Sequence, residues 1–314
     1  MRDNGGMIGR RTILFLAPAL VRGQAIDLGK ALDRVAEEAG LFAAMAPKVM
    51  AQEWLQHRGR KAPPRFRPNP GSVEKVNPAL VYLKRELVSE FGFAAMKDAP
   101  EHIREFRKVV SVDGKQVRKV EKARLELAQN MTSEDDRERK RMLQDLEKYG
   151  MIGAATDFSQ SILLFRKRDL PRYEFETGDS QWVSGDRATA IKWKQTGREG
   201  GAHVFHGKQL SRVPMSGEIW VRNRDLLPLR ITLRIPVEED KQQVLHTGEV
   251  DYYQSKYGLL LPTTVRYRKT IGDTMLVENV ASIREYKMFA VQTDIKFTVS
   301  EIVDPAPPPD GPSR

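Results

Sequence analysis

A chain of 314 residues with net charge +10, 40% hydrophobic and 30% charged, is long enough to bury a sizeable core beneath a polar surface. It holds no cysteine, which excludes disulfides, thiolate catalysis, thiolate metal sites and acylation at a lipobox cysteine. The basic balance fits anionic headgroups, acidic polymers or solubility alone, and the export signal described next sets nucleic acid aside.

Residues 7–11 (MIGRR) are a basic start, residues 13–21 (ILFLAPALV) a short apolar run, and Gly23-Gln24-Ala25 places small residues where a signal is cut. That order predicts an export signal over residues 1–25 and a protein that is periplasmic or otherwise associated with the cell envelope. The apolar run is about half the ~18 residues that a membrane span needs. Arg10-Arg11-Thr12-Ile13-Leu14 resembles a twin-arginine signal, and an ordinary secretory signal is the alternative. Arg2, Arg10, Arg11 and Arg22 outweigh Asp3 there, so cleavage after Ala25 leaves a charge of about +7.

Asp27 is a helix N-cap candidate. Leu28, Leu32, Val35, Ala39, Phe42, Ala46 and Val49 follow at steps of four and three, one face of a helix that Pro47 should kink. The stripe reads as a core-packing face or, more sharply, as a lid helix marked by Leu28, Leu32, Val35, Phe42 and Val49. Residues 57–72 carry Pro63, Pro64, Pro68 and Pro70 and read as a loop. Its Arg58, Arg60, Lys61, Arg65 and Arg67 are candidate headgroup-binding residues, with a solvated linker as the alternative.

Residues 80–93 and 103–112 are expected strands, with Asp113-Gly114 as a tight turn. Residues 118–149 read as helical with a break near Met131-Thr132, and 154–165 as a further helix. From Tyr173 onward the chain reads as β. Leu229, Ile231, Leu233 and Ile235 alternate with polar residues, as do Val265 and Tyr267, and Ile295, Phe297 and Val299. Turn signals at 197–201, 223–228, 257–258 and 272–273 separate the runs, which predicts an antiparallel meander. The Pro-rich residues 304–314 read as a disordered tail. The expected organisation is a signal (1–25), one α+β domain (26–303) with a helical insertion at about 118–165, and the tail.

This order of elements resembles the periplasmic lipoprotein carriers of the LolA/LolB type. Individual stretches also resemble a set of uncharacterised exported bacterial proteins: Val112-Asp113-Gly114-Lys115-Gln116-Val117, the 217–221 stretch (GEIWV) followed by 227–231 (LPLRI), and Tyr286-Lys287-Met288-Phe289. The resemblance implies a curved antiparallel sheet, an incomplete barrel with helices packed on its concave side. It carries over no functional residue, because fold does not fix function.

No catalytic, cofactor-binding or metal-ligating set emerges. His203 and His206 have a metal-like spacing, but on a strand they face opposite sides, and His246 stands apart. Residues 201–208 (GAHVFHGK) have five residues between the glycines and no following Ser or Thr, so they are not a phosphate loop. The acidic runs 134–136 and 238–240 fit a helix start and a loop tip. Trp182, Trp193, Trp220, Tyr252, Tyr253, Tyr267 and Phe297 either fill a core or line a concave apolar surface. The reading is a non-catalytic envelope protein without a cofactor. Its implied partners are a lipid or lipoprotein and an anionic membrane surface; its oligomeric state is left open. A structural or interaction module with a filled core is the alternative, and an exported hydrolase the third reading. N-terminal sequencing of the native protein should begin at or near Ile26; recovery of intact Met1 or Met7 would contradict the signal.

Overall fold

The computed structural model describes residues 26–61, 80–96, 99–132, 136–151, 157–197, 202–206, 209–239, 241–255, 258–290 and 298–301. The expected signal, Arg65, Arg67, Ile295, Phe297 and the Pro-rich tail lie outside them. No helix among the described residues is long and apolar enough to cross a membrane.

Helix α1 (Leu28–Met45) starts where the Asp27 side chain accepts a hydrogen bond from the Lys30 N–H at 3.1 Å. Ala31, Val35, Ala39 and Phe42 are buried along one face, and Leu28 and Leu32 are half-buried beside it. Pro47 does not kink this helix but ends it. A 3-10 turn over Ala46–Lys48 follows, and the strand β1 (Val49–Arg60) begins at once. Pro47 has no N–H with which to continue the helical ladder. Val49 is therefore a buried strand residue and not part of a lid helix. The loop expected from residue 57 is likewise corrected: His57, Arg58 and Arg60 complete β1. Its period of two was hidden because Glu53 and His57 occupy inward positions between Ala51, Leu55 and Gly59.

Strands β2 (Tyr82–Met96) and β3 (Ala99–Val112) lead through the Asp113-Gly114 turn, both residues at positive φ, to the short β4 (Lys115–Gln116). Helices α2 (Val120–Thr132) and α3 (Asp136–Lys148) follow; Met131 and Thr132, where the sequence predicts a break, are the last two residues of α2, and 133–135 lie outside the described residues. No α-helix is seen in the described part of 154–165. Asp157 adopts φ 70°, which a helix does not admit, and only a 3-10 turn forms at Ser161–Phe165, with another at Leu170–Arg172. We refer to residues 157–172 as the strap. The remaining chain is β5 (Tyr173–Val183), β6 (Asp186–Gln195), β7 (Ala202–His206), β8 (Gln209–Val213), β9 (Ser216–Arg222), β10 (Pro228–Glu239), β11 (Gln242–Gln254), β12 (Leu260–Ile271), β13 (Thr274–Ala290) and β14 (Thr298–Glu301). Glu238 and Glu239, expected at a loop tip, are the last residues of β10.

The strands form one antiparallel sheet in the order β4-β3-β2-β1-β13-β12-β11-β10-β9-β6-β5, with β14 added to the far end of β13 and β7–β8 as a separate hairpin. The sheet is open, with β4 and β5 at its two edges. It is also curved. Phe42 of α1 meets Phe93 of β2 at 5.2 Å between ring centroids, and Phe165 of the strap meets Trp193 of β6 at 5.2 Å. Strands β2 and β6 are seven spacings apart in the sheet order, roughly 34 Å if flat. Yet both join one core cluster with α1 and the strap. Register shifts put extra residues into β3, β5, β10, β12 and β13, the kind of irregularity that bends a strand.

The concave side holds α1, the strap and, over Leu55, Leu87 and Val109, Leu146 of α3; α2 instead packs on the outer face of β1–β3. There Leu127, Ala128 and Met131 meet Met50, Ala94 and Phe106. A Cβ on Gly92 would lie 2.5 Å from the Met131 sulfur, so a larger residue there would push the Met131 side chain aside. Phe42→Asp should lower the melting temperature severely, since a truncated core residue costs about 3–5 kcal/mol and the new carboxylate would be buried without a partner. An unchanged melting temperature would mean that the α1 stripe faces water.

Candidate functional site

The concave sheet face and its cover are the region where apolar surface, charge and connectivity converge. Two parts of the cover, the strap and α1, are held by different forces. The strap is latched by hydrogen bonds. Glu105 of β3 accepts from the Ser159 N–H at 2.8 Å and from the Ser159 hydroxyl at 2.5 Å. The Tyr252 hydroxyl of β11 donates to the Ser159 carbonyl at 3.0 Å and accepts from the Ile162 N–H at 3.1 Å. Asp157 accepts from the Glu105 N–H at 2.9 Å and from Arg139 at 2.5 Å. Phe158 lies 5.1 Å from the Tyr267 ring and over Gly248, where an added Cβ would come within 2.5 Å of it.

Helix α1 has no such latch. Among the described residues, every side-chain hydrogen bond or ion pair of α1 closes on the helix itself, its N-cap Asp27 or the turn after it: Asp27 with Lys30, Arg34 with Glu37 and Glu38, and Lys48 with Met45. Only apolar burial seats it. Glu38 is fully buried, yet one carboxylate oxygen finds no partner, nor does the Arg34 Nε. Burial raises the Glu38 carboxyl above the usual range even though Arg34 opposes the shift. Gln160 Oε1 of the strap and Trp193 Nε1 below it are also buried without a partner. Each such atom costs about 1–3 kcal/mol.

Beneath the strap lies a buried ionic triad that sequence reasoning missed. Arg107 donates to Glu53 through two nitrogens at 2.6 and 2.8 Å and pairs with Glu105 at 2.8 Å. Its guanidinium stands 5.0 Å from the Phe91 ring. Burial alone would raise the Glu105 carboxyl, but Arg107 and Ser159 outweigh it and hold it below the ordinary range. The Arg107 guanidinium stays charged because Glu53 and Glu105 outweigh its burial. A cavity of about 20 Å3, room for one water, opens among Glu53, Glu105, Arg107, Phe158, Tyr267 and Asn279. Both carboxylates are engaged by Arg107 and Ser159, so the triad fastens the strap and presents no spare base. The available signal was the pattern Ile103-Glu105-Arg107-Val109, which sets two opposite charges on the inward parity of a strand.

The histidines separate. His57 bonds Asn279 at 2.7 Å; His246 bonds the Tyr267 hydroxyl at 2.9 Å and lies 3.4 Å from Glu239. Burial lowers both imidazoles below their usual value. His203 and His206 lie on β7, and no cluster of metal-ligating side chains gathers among the described residues.

Of the five basic candidates, Arg58, Arg60 and Lys61 lie among the described residues and Arg65 and Arg67 outside them. Arg58 pairs with Glu278 at 3.1 Å and stands over Tyr82 at 5.5 Å, so its charge is already answered. Arg60 and Lys61 lie at the end of β1, where the Lys61 N–H bonds the Val81 carbonyl at 2.8 Å. Leu80 and Val81, 51% and 53% exposed, sit beside them.

Arg107→Met should destabilise by about 3–5 kcal/mol, because Glu53 and Glu105 are left buried and unpaired. The pH response should also invert. In the parent, Glu105 stabilises at neutral pH and loses that contribution as pH falls through its depressed folded value. In the variant, protonating the abandoned carboxylates relieves repulsion, so stability rises toward pH 5. Chemical denaturation at pH 7 and pH 5 reads both; equal stability of variant and parent would overturn the role of the triad.

No protein-family model matches the chain, and no curated protein matches it. Among solved structures the chain is similar to a DUF1329 family protein from Desulfovibrio piger, at 9% identity over 85% of this chain and 95% of that one, with a TM-score of 0.34. A domain named for outer membrane lipoprotein sorting from Vibrio parahaemolyticus has 9% identity, 86% and 95% coverage, and a TM-score of 0.34. A LolA superfamily protein from Nitrosomonas europaea has 10% identity, 84% and 96% coverage, and a TM-score of 0.28.

Proposed function

We propose that this chain is an exported, non-catalytic binding protein of the cell envelope that accepts an apolar or lipid-like group, free or carried by a lipoprotein, against the concave sheet face. One observation carries the reading: α1 is seated by apolar contact alone, while the strap beside it is latched. An acyl chain can take the place of Ala31, Val35, Ala39 and Phe42 without breaking a hydrogen bond between α1 and the sheet. The unpartnered oxygen of Glu38 further weakens the closed state. The 3-10 turn at Ala46–Lys48, where Pro47 ends the helix, is the pivot. Arg60 and Lys61, with Arg65 and Arg67 beyond the described residues, would meet anionic headgroups next to the exposed Leu80 and Val81.

The second reading is an interaction module with a permanently filled core. It is favoured by the complete burial of Phe42, Ile162 and Phe165, the cover's own inward side chains. The two differ in how binding responds to the helix. Ligand and α1 compete for one surface, so loosening α1 should strengthen apparent affinity. A fluorescent acyl probe with an uncharged headgroup should bind saturably, and Val35→Ala should tighten that binding several-fold. Because burial raises the Glu38 carboxyl, the closed state is most stable below the unfolded carboxylate range and weakens as pH rises through the folded value. Affinity should therefore increase from pH 4 to pH 7 and lose that dependence in Glu38→Gln. Absent saturation, or affinity indifferent to Val35→Ala, would leave the filled-core module ahead.

A further inference from the structure

The two edges of the sheet are treated differently. At the β3 edge, outward backbone groups are met by side chains: the Glu105 N–H by Asp157 at 2.9 Å, the Arg107 N–H by the Met142 sulfur at 3.2 Å, and the Val109 carbonyl by Arg118 at 3.2 Å. At the other edge, β5 runs for 11 residues. The Thr196 N–H bonds the Arg172 carbonyl at 3.0 Å, and the Gln195 N–H bonds Met215 of the strand segment on the other side at 2.9 Å. Ladder alternation then turns the backbone of Glu174 and Glu176 toward β6 and that of Phe175 and Thr177 outward. Among the described residues nothing pairs with those outward groups. An unprotected edge of this kind is a template for an added strand.

The sheet also states what charge that strand should carry. Across its outer face runs a band in which sign alternates strand by strand. Arg230 of β10 pairs with Asp251 of β11 at 2.5 Å, and Arg266 of β12 pairs with Glu249 of β11 at 2.5 Å. Glu278 of β13 is held between Arg268 of β12 at 2.5 Å and Arg58 of β1 at 3.1 Å. The band continues the other way. Glu218 of β9 lies opposite Lys192 of β6, and Lys192 and Lys194 lie opposite Glu176 and Glu174 of β5. The order from β1 to β5 is thus plus, minus, plus, minus, plus, minus, plus, minus, and it ends on two exposed glutamates that form no ion pair among the described residues. On the other face the same stretch offers Phe175, half-buried beside Phe165 at 6.3 Å.

We propose that the β5 edge at residues 174–177 is a docking site for an extended segment of a partner protein, one that alternates basic and apolar residues. The partner strand bonds the Phe175 and Thr177 backbone, its basic side chains extend the alternating band against Glu174 and Glu176, and its apolar side chains cover Phe175. A second copy of this chain does not fit, because β5 laid antiparallel on β5 sets acidic columns side by side. The chain's net charge of +10 repels cationic peptides in general, so capture of one has to be local. This site is separate from the concave face and does not depend on the lipid reading.

The test uses the full chain and a capped seven-residue peptide of alternating lysine and valine. Titration calorimetry should show saturable binding that weakens with salt, and hydrogen exchange at the Phe175 and Thr177 amides should slow. Glu174→Lys with Glu176→Lys should weaken binding at least ten-fold and admit an alternating glutamate–valine peptide instead. Glu174→Gln with Glu176→Gln, which changes no strand propensity of note, guards against loss of folding and should also weaken binding. A peptide of the same charge with N-methylated amides should not bind. No binding of the first peptide, equal binding of the N-methylated one, or indifference to both glutamate pairs would each overturn the proposal.

Discussion

A twelve-strand antiparallel sheet with one apolar face must bury that face, and among the described residues the other sheet is a two-stranded hairpin, β7–β8, too small to cover it. Everything else follows from that constraint. The sheet curls until β2 and β6 address the same core; α1 and the strap cover that part of the hollow, and Leu146 of α3 with Met151 covers the part over Leu55, Leu87 and Val109. Small inner residues on α1, Ala31 and Ala39, let the helix lie close, while Phe42 reaches past them to Phe93. Burying side chains such as Val35 and Phe42 is worth roughly 1.5–3 kcal/mol each, enough to seat the helix without one polar tie to the sheet.

The strap is fixed by the opposite kind of force. The Glu53–Arg107–Glu105 triad places charge inside the apolar hollow, where a broken pair is costly and a satisfied one is directional. Glu105 uses its remaining oxygen on Ser159, so the strap inherits that directionality. One cover element is thus held by contacts that any apolar group can mimic, and its neighbour by contacts that only its own atoms can make. On the function proposed above, this asymmetry is what would let the concave face open in part.

Much of this architecture could be read from residue order. Alternation at Leu229, Ile231, Leu233 and Ile235, and the Asp113-Gly114 turn, announce strands because apolar side chains and a positive-φ turn leave plain marks. The helix stripe through Phe42 was legible for the same reason. Strand β1 was not, because Glu53 and His57 stand where alternation calls for apolar residues, and Pro47 resembles a kink as much as a stop. The partners of those inward charges are Arg107, 54 residues away, and Asn279, 222 residues away. Period and propensity carry no information at that range. The pairing of Arg58 with Glu278 across strands was hidden likewise, which is why a run of like charges looked unanswered.

Hydrogen exchange on the native protein, resolved to α1, the strap and the central strands, tests the central claim most directly. Separate openings are expected: α1 amides should exchange through a local transition well below the free energy of global unfolding, while Ser159, Ile162 and the strands β1, β12 and β13 exchange only with the whole. Exchange of α1 at the same free energy as those strands would show that helix and sheet are one cooperative unit, and would contradict the account.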